Sequence, residues 1–363
     1  MTQPSFLRLY VHPAWKRDGL HSPLLYPFWG NPNGDNSLFA KEMFDAHPFD
    51  TSLYTITDNI HESDMVFVPY RHNWLLMYDP ALLEECASVA KAAGLSLLID
   101  GAGDLEFPNT LENSYILRIG GYRFLPEKNR IIIPAAADDL LERCVGGEFQ
   151  SRAKREGEKP VVGFAGWARL TMRQTLRTIA KEMPIRIRGI LDSRYSAMKK
   201  GVLWRAKALA ILSRSSRVSL NLRVRSSFSG NTKTASGDLR QLRQDFVDTV
   251  LESDYALDVR GDANASTRLF EILSLGRIPV LFDTERNLPF SDEINYDSFC
   301  VRVDFRNIGR LAQKIAEFHK NVSPEQFLQM QQEARKTFVE FFRIDAQMKH
   351  ILPQLQKMGA FNR

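Results

Sequence analysis

Residues 255–282 read YALDVRGDANASTRLFEILSLGRIPVLF, and this stretch decides the fold. Tyr255, Ala256, Leu257 and Val259 form a short apolar run that predicts a buried strand. A polar loop with Arg260, Gly261 and Asp262 follows. Ser266 and Thr267 are N-cap residue types, and a helix is expected from about Thr267 to Leu275. Gly276 suits the position after a helix end, and Ile278, Val280, Leu281 and Phe282 predict a second buried strand. Strand, loop, helix and strand of this length make a βαβ unit. In open parallel sheets ligands bind at the loop after such a first strand.

The loop's chemistry suits an anion. A helix amino terminus presents N–H groups and a positive partial charge, and Arg260 stands just ahead of it. Arg268 and Glu271 are three apart and share a helix face, while Leu269, Ile272 and Leu273 face the sheet. Glu271 near a diphosphate pocket would accept the paired hydroxyls of a ribose. On spacing alone, Arg268 and Glu271 read equally as a surface ion pair and Ser266 as only a cap.

More elements in a fixed order surround the loop. Arg260-Gly261 is followed by S-x-R-x-x-E at Ser266, Arg268 and Glu271, then Gly276 to Val280 (GRIPV), Leu288 to Phe290 (LPF) and Phe299 to Val303 (FCVRV). Upstream lie SDMVFVP (63–69) and RQDFVDTVLESDY (243–255). In this order and spacing the chain resembles the exostosin family of glycosyltransferases, most strongly in its last third. The resemblance implies an α/β fold of two Rossmann-like domains facing a cleft, the GT-B arrangement, with the donor nucleotide held by the C-terminal half. It also implies inverting transfer from a nucleotide-diphosphate sugar, a UDP-sugar first, to a glycan or lipid-linked glycan acceptor. Synthesis of cell-surface polysaccharide or lipopolysaccharide is the expected role.

Composition agrees with an enzyme of ordinary globular type. The chain has 363 residues, 44% apolar and 25% charged, a length for two domains. No apolar run reaches the roughly 20 residues that span a bilayer. The N-terminus MTQPSFLRLYVHP lacks a signal peptide's regions. Cys86, Cys144 and Cys300 form no CxxC pair. A cytoplasmic location is expected, peripheral at the inner face of the membrane.

The net charge of +5 is unevenly spread. Residues 186–225 hold eleven Lys and Arg against Asp192 alone, a local net of +10. That run reads as a solvated face, as a contact for anionic membrane, or as a site for a polyanion. Only Tyr195 and Trp204 are aromatic there, too few to stack single-stranded nucleic acid, so no nucleic-acid partner is expected.

The first domain is expected over residues 1–150. It opens with the strand Leu7 to Val11, ending in His12-Pro13. Residues 21–36 (HSPLLYPFWGNPNGDN) read as a functional loop whose Tyr26, Phe28 and Trp29 either stack on sugars or plug the core. The strand Leu95 to Ile99 ends in Asp100-Gly101-Ala102-Gly103-Asp104. After the charged linker 146–160 the second domain is expected over 151–345, with the strand Val161 to Ala165, Arg169 at the next turn and a helix over 171–182. A further strand is predicted at Ile185 to Gly189, and Ser226 to Gly237 (SSFSGNTKTASG) as a loop. Residues 346–363 are expected as a C-terminal helix and tail packing back on the first domain.

No D-x-D pair is present, nor a His/Cys set with zinc spacing or a P-loop. No metal and no resident cofactor are therefore expected, and arginines and helix N–H groups would neutralise the diphosphate. The expected donor-binding residues are Arg260, Gly261, Ser266, Thr267, Arg268, Glu271, Arg169 and Arg225. A catalytic base from the first domain is sought in Asp104, Asp100 and His12, with His72 behind them. A polyanion-binding or scaffold protein on the same fold is the alternative.

Overall fold

The computed structural model describes residues 6–34, 38–226 and 237–361. The polar loop read at 226–237 lies, but for its two ends, outside the described residues.

Among the described residues, eleven strands form two parallel sheets. The first holds β1 (Leu7–Tyr10), β2 (Tyr54–Thr57), β3 (Met65–Val68), β4 (Ser96–Asp100), β5 (Ser114–Arg118) and β6 (Arg130–Ile132), in the order β2-β1-β3-β4-β5-β6. The second holds β7 (Val161–Trp167), β8 (Ser219–Arg225), β9 (Tyr255–Asp258), β10 (Ile278–Asp283) and β11 (Val301–Asp304), in the order β11-β10-β9-β7-β8. Both orders place the second strand outside the first and the third on its other side. Each sheet therefore reverses its winding between its first and third strands, and such a reversal opens a crevice at the strand carboxyl ends. Two such α/β units with a cleft between them are the GT-B layout.

Burial explains the strand sequences. Parallel strands covered by helices on both faces need continuous apolar runs. MVFV of β3, SLLID of β4 and IPVLFD of β10 are buried at every position. β8 (SLNLRVR) has exposed and half-buried positions throughout, as an edge strand does.

The strand predicted at Ile185 to Gly189 is instead part of a helix, Met183–Leu191. Its alternation of Ile and Arg has the strand period, but the helical Glu182 ahead of it lets Arg186 N donate to Glu182 O. The sheet position beside β7 goes to SLNLRVR instead, which pairs with all of β7.

The waist between the units is hydrogen-bonded. Arg123 N donates to Glu285 O at 2.9 Å and Asn287 N to Gly121 O at 3.1 Å. The Arg123 guanidinium donates to both oxygens of Asp283, at 3.2 and 3.0 Å. The chain end crosses the same boundary. Ile351, Leu352 and Leu355 of the helix Ile344–Lys357 share one core with strands of the first sheet. Tyr115 of β5 donates its hydroxyl to Met358 O. Leu140 and Leu141 already share a core with Ala165, Val247 and Ile272 of the second unit, ahead of the expected boundary at 150, and Arg152 N donates to Gln331 Oε1 while its guanidinium pairs with Asp254.

The aromatics of residues 21–36 are a plug. Tyr26 meets Phe44 edge-on at 4.9 Å, Phe28 meets Tyr54 at 5.4 Å, and both pack with Trp29 on the first core.

Candidate functional site

A cavity of about 610 Å³ lies at the carboxyl ends of β7 and β9, the reversal point of the second sheet. Its far wall is the first domain, through Phe39, Asp104, Ile119 and Ala135. Its near wall holds Ala165 to Trp167 at the end of β7, residues 261–263 after β9, and the start of the helix Thr267–Ser274. A volume of this size accommodates a drug-sized ligand.

Four arginines line it: Arg205, Arg225, Arg243 and Arg268. Arg268 leaves the first turn of its helix and lies over the Phe164 ring, 4.8 Å from guanidinium carbon to ring centre. Its Nη2 donates to Ala165 O at 3.2 Å, and its buried Nε has no partner. Gly166 makes this possible. Its φ is +146°, and a Cβ there would stand 2.5 Å from Arg268 Nη2. Arg205 comes from the helix Gly201–Ser213 and donates to Val259 O at 3.2 Å and Trp167 O at 3.3 Å. Arg225 closes β8, donates to Leu242 O at 2.8 Å and stands 3.8 Å from Asp245.

These guanidiniums sit where positive charge is disfavoured. Burial, then the charge of Arg268, pulls Arg205 below its ordinary pKa. Burial lowers Arg225 against the pull of Asp245, and it lowers Arg268 against Asp258 and Glu271. Guanidinium does not give up its proton under such pressure, so the strain favours a bound anion instead.

Two of the nearby carboxylates are already engaged. Asp258, fully buried at the end of β9, accepts from Arg286 Nη2 at 2.6 Å and from Ser266 Oγ at 2.5 Å. Glu271 pairs with Arg243 at 2.7 Å.

The structure brings together Gly261, Ser266, Thr267, Arg268, Glu271 and Arg225 of the expected donor-binding residues, all on the cavity wall. Ser266 occupies the N-cap position but does not cap: its hydroxyl turns to Asp258. Glu271 reaches Arg243, not Arg268. Arg260 faces away from the cavity. It is 1% exposed, and its guanidinium donates to Gly261, Asp262, Ala263, Ala197 and Lys199 carbonyls. It binds the loop after β9 to the approach of the helix Gly201–Ser213. That helix starts against the same loop, where a Cβ on Gly201 would meet Arg260 O at 2.3 Å. Arg169 is exposed and contributes no side chain to the cavity wall.

Of the first-domain residues sought as a base, Asp104 reaches the cavity. Asp100 is 4% exposed and accepts from Ser22 Oγ at 2.7 Å and Ala102 N at 2.9 Å, which makes it a loop brace. His12 caps the turn Pro13–Trp15, its Nδ1 accepting from Ala14 N at 3.1 Å. His72 is buried in the first domain, where desolvation and then the Arg118 charge lower its pKa to about 4.

Arg205, Arg243 and Asp258 were not distinguished in the sequence. Arg205 is one of eleven cations in the run 186–225, and nothing local marks it. That run does not form one face. Arg205 and Arg225 turn to the cavity, and Arg223 pairs with Asp245 at 2.8 Å. One grouping among the described residues could hold a metal ion: His47, Asp139 and Glu142. It lies off the cavity wall, and Asp139 is spent on Arg335 through both oxygens, at 2.6 and 3.0 Å.

Three comparisons bear on this geometry. Residues 209–317 match the model of the Exostosin GT47 domain, a segment that contains the βαβ unit of the cavity. No curated protein matches the chain. Among solved structures, a glycosyltransferase from Rickettsia africae ESF-5 is similar at 12% identity and a TM-score of 0.40, over 98% of this chain and 99% of that one. TarM is similar at 11% identity and a TM-score of 0.33, and a mutant of S. aureus TarM with fondaparinux, alpha-GlcNAc-glycerol and UDP at 9% and 0.32. Both TarM alignments cover 76% of this chain, which spans 58% of the length of TarM.

Proposed function

From a chain whose residues 209–317 match the Exostosin GT47 domain, we propose transfer of a hexosyl or pentosyl group from a nucleotide-diphosphate sugar to a glycan acceptor. UDP-sugar is the proposed donor. The observation that carries this reading is the convergence of Arg205, Arg225 and Arg268 on one interdomain cavity beside a helix amino terminus. Burial disfavours their charges, which a dianionic diphosphate would offset.

In this reading the diphosphate lies against the first turn of the helix Thr267–Ser274, between Arg268 and Arg205. Glu271, held by Arg243, accepts from the ribose hydroxyls. Asp104 faces this wall from the first domain and takes the proton of the acceptor hydroxyl. The acceptor oxygen bonds the anomeric carbon as the bond from that carbon to the phosphate oxygen breaks, and attack opposite the nucleotide inverts the centre. The leaving nucleoside diphosphate keeps the electron pair, and its charge is met by guanidinium and N–H groups with no metal. The acceptor is a glycan or lipid-linked glycan in cell-surface polysaccharide or lipopolysaccharide synthesis, worked on from the cytoplasmic side.

A thermal-shift panel of UDP, GDP, TDP and CMP, with and without EDTA, tests this. Stabilisation of the wild-type chain by one diphosphate in EDTA, absent in Arg268→Ala, is the expected result. A stabilisation that needs a divalent ion would remove the metal-free mechanism. No stabilisation by any nucleotide would remove the donor site.

A further inference from the structure

The helices Met172–Lys181 and Met183–Leu191 meet at Glu182, whose φ of −88° and ψ of 0° are helical. Glu182 N donates back to Thr178 and Ile179 carbonyls, and Arg186 N donates to Glu182 O, so the helical register runs through the joint. Counted at about 3.6 residues per turn, Met172, Leu176, Met183, Ile187, Ile190 and Leu191 fall on one stripe. That stripe faces solvent. Met172 is 81% exposed, Ile190 84% and Leu191 86%, and the other three lie between 47% and 63%.

The arrangement is inverted relative to an ordinary surface helix, which buries its large apolar residues. Here the half-buried positions are Thr175, Thr178, Ile179, Ile185, Arg186 and Gly189, and Glu182 is buried between Arg186 and the Lys200 amide. Exposed Arg173, Arg177, Lys181 and Arg188 flank the stripe. Between residues 172 and 191 the one acid is the buried Glu182, so the outward face carries cations, apolar groups and Gln174 but no acid.

We propose that this stripe docks flat on an anionic lipid surface. Its apolar residues would enter the acyl boundary while the flanking cations meet lipid phosphates. A second copy of the chain fits poorly, because a self-paired stripe would set arginines against arginines. The end of β7, which leads into the first of these helices, carries Gly166 and Trp167 on the cavity wall. Docking would therefore hold the cavity mouth a few residues from the lipid. The inference goes beyond glycosyl transfer and stands independently of the donor site.

The test is co-sedimentation of the full chain with vesicles of phosphatidylcholine alone or mixed with phosphatidylglycerol. Wild type is expected to partition about ten-fold more strongly onto the mixed vesicles, and to release in high salt. Ile190→Ser with Leu191→Ser, and separately Arg173→Glu with Arg177→Glu, should each lower that partition about ten-fold. Circular dichroism melts should match wild type, since all four side chains are exposed. Equal partition onto neutral vesicles, no partition, or partition unchanged in either variant overturns the proposal. A dimer seen by light scattering and broken by the serine variant would overturn it in favour of a second copy.

Discussion

The two sheets share one strand order and so present two reversal points, one between β1 and β3, the other between β7 and β9. They are filled differently. The first is closed by its own side chains: Trp15 packs edge-on against Tyr10 at 5.6 Å and donates to Glu85. His12 caps the turn beside it, and the Tyr70 hydroxyl is bonded to both backbone groups of Arg17. The second is open and lined by arginines whose buried charge invites an anion. Topology supplied a crevice twice, and side-chain chemistry makes one of the two a candidate site.

Four substitutions probe that contrast, from the largest effect to the smallest. Arg268→Ala should lower turnover about 10²- to 10³-fold, or ~3–4 kcal/mol of transition-state stabilisation, with an unchanged melt. Steady-state kinetics with the donor found in the thermal-shift panel would read it, and full activity would move the diphosphate elsewhere. Arg260→Ala is expected to act on stability instead. Losing a buried guanidinium that serves five carbonyls should cost about 3 kcal/mol in denaturant unfolding. A normal melt with lost nucleotide binding would return Arg260 to the pocket. Glu271→Gln should weaken ribonucleotide affinity about ten-fold, ~1.4 kcal/mol, in calorimetry, and weaken 2′-deoxynucleotide affinity less; equal loss for both would take Glu271 off the ribose. Tyr70→Phe, in the closed crevice, should cost about 1 kcal/mol of stability and leave turnover unchanged. A Tyr70→Phe enzyme with impaired turnover would show that the first crevice also serves the reaction.

Much of the site was legible because it is local. The strand, loop, helix and strand of residues 255–282 form where the apolar pattern places them, since each element buries its own run. Thr267, Arg268 and Glu271 follow from that frame, because a helix amino terminus after a parallel strand must face the crevice. Arg260 and Arg205 show where such reading stops. Arg260 is adjacent to the loop in sequence, yet carbonyls from two segments converge on it and turn it inward. Arg205 lies 55 residues before Arg260 in sequence and reaches the cavity because its helix starts against the Arg260-Gly261 backbone. The segment Ile185 to Gly189 fails for a related reason: a strand period of five residues is outweighed by a helix already running into it.

The sequence by itself determined the α/β class, the βαβ unit of the cavity and the family to which residues 209–317 are matched. These rest on runs and spacings within some thirty residues, where local burial and helix geometry leave few alternatives. Tertiary structure alone decided which arginines face the cavity, which of Asp100 and Asp104 reaches it, and that the apolar face of residues 172–191 points to solvent. Each of those outcomes depends on what another segment, distant in the chain, places beside the side chain. A buried guanidinium takes the carbonyls it meets, and an apolar helix face stays exposed when no other segment arrives to cover it.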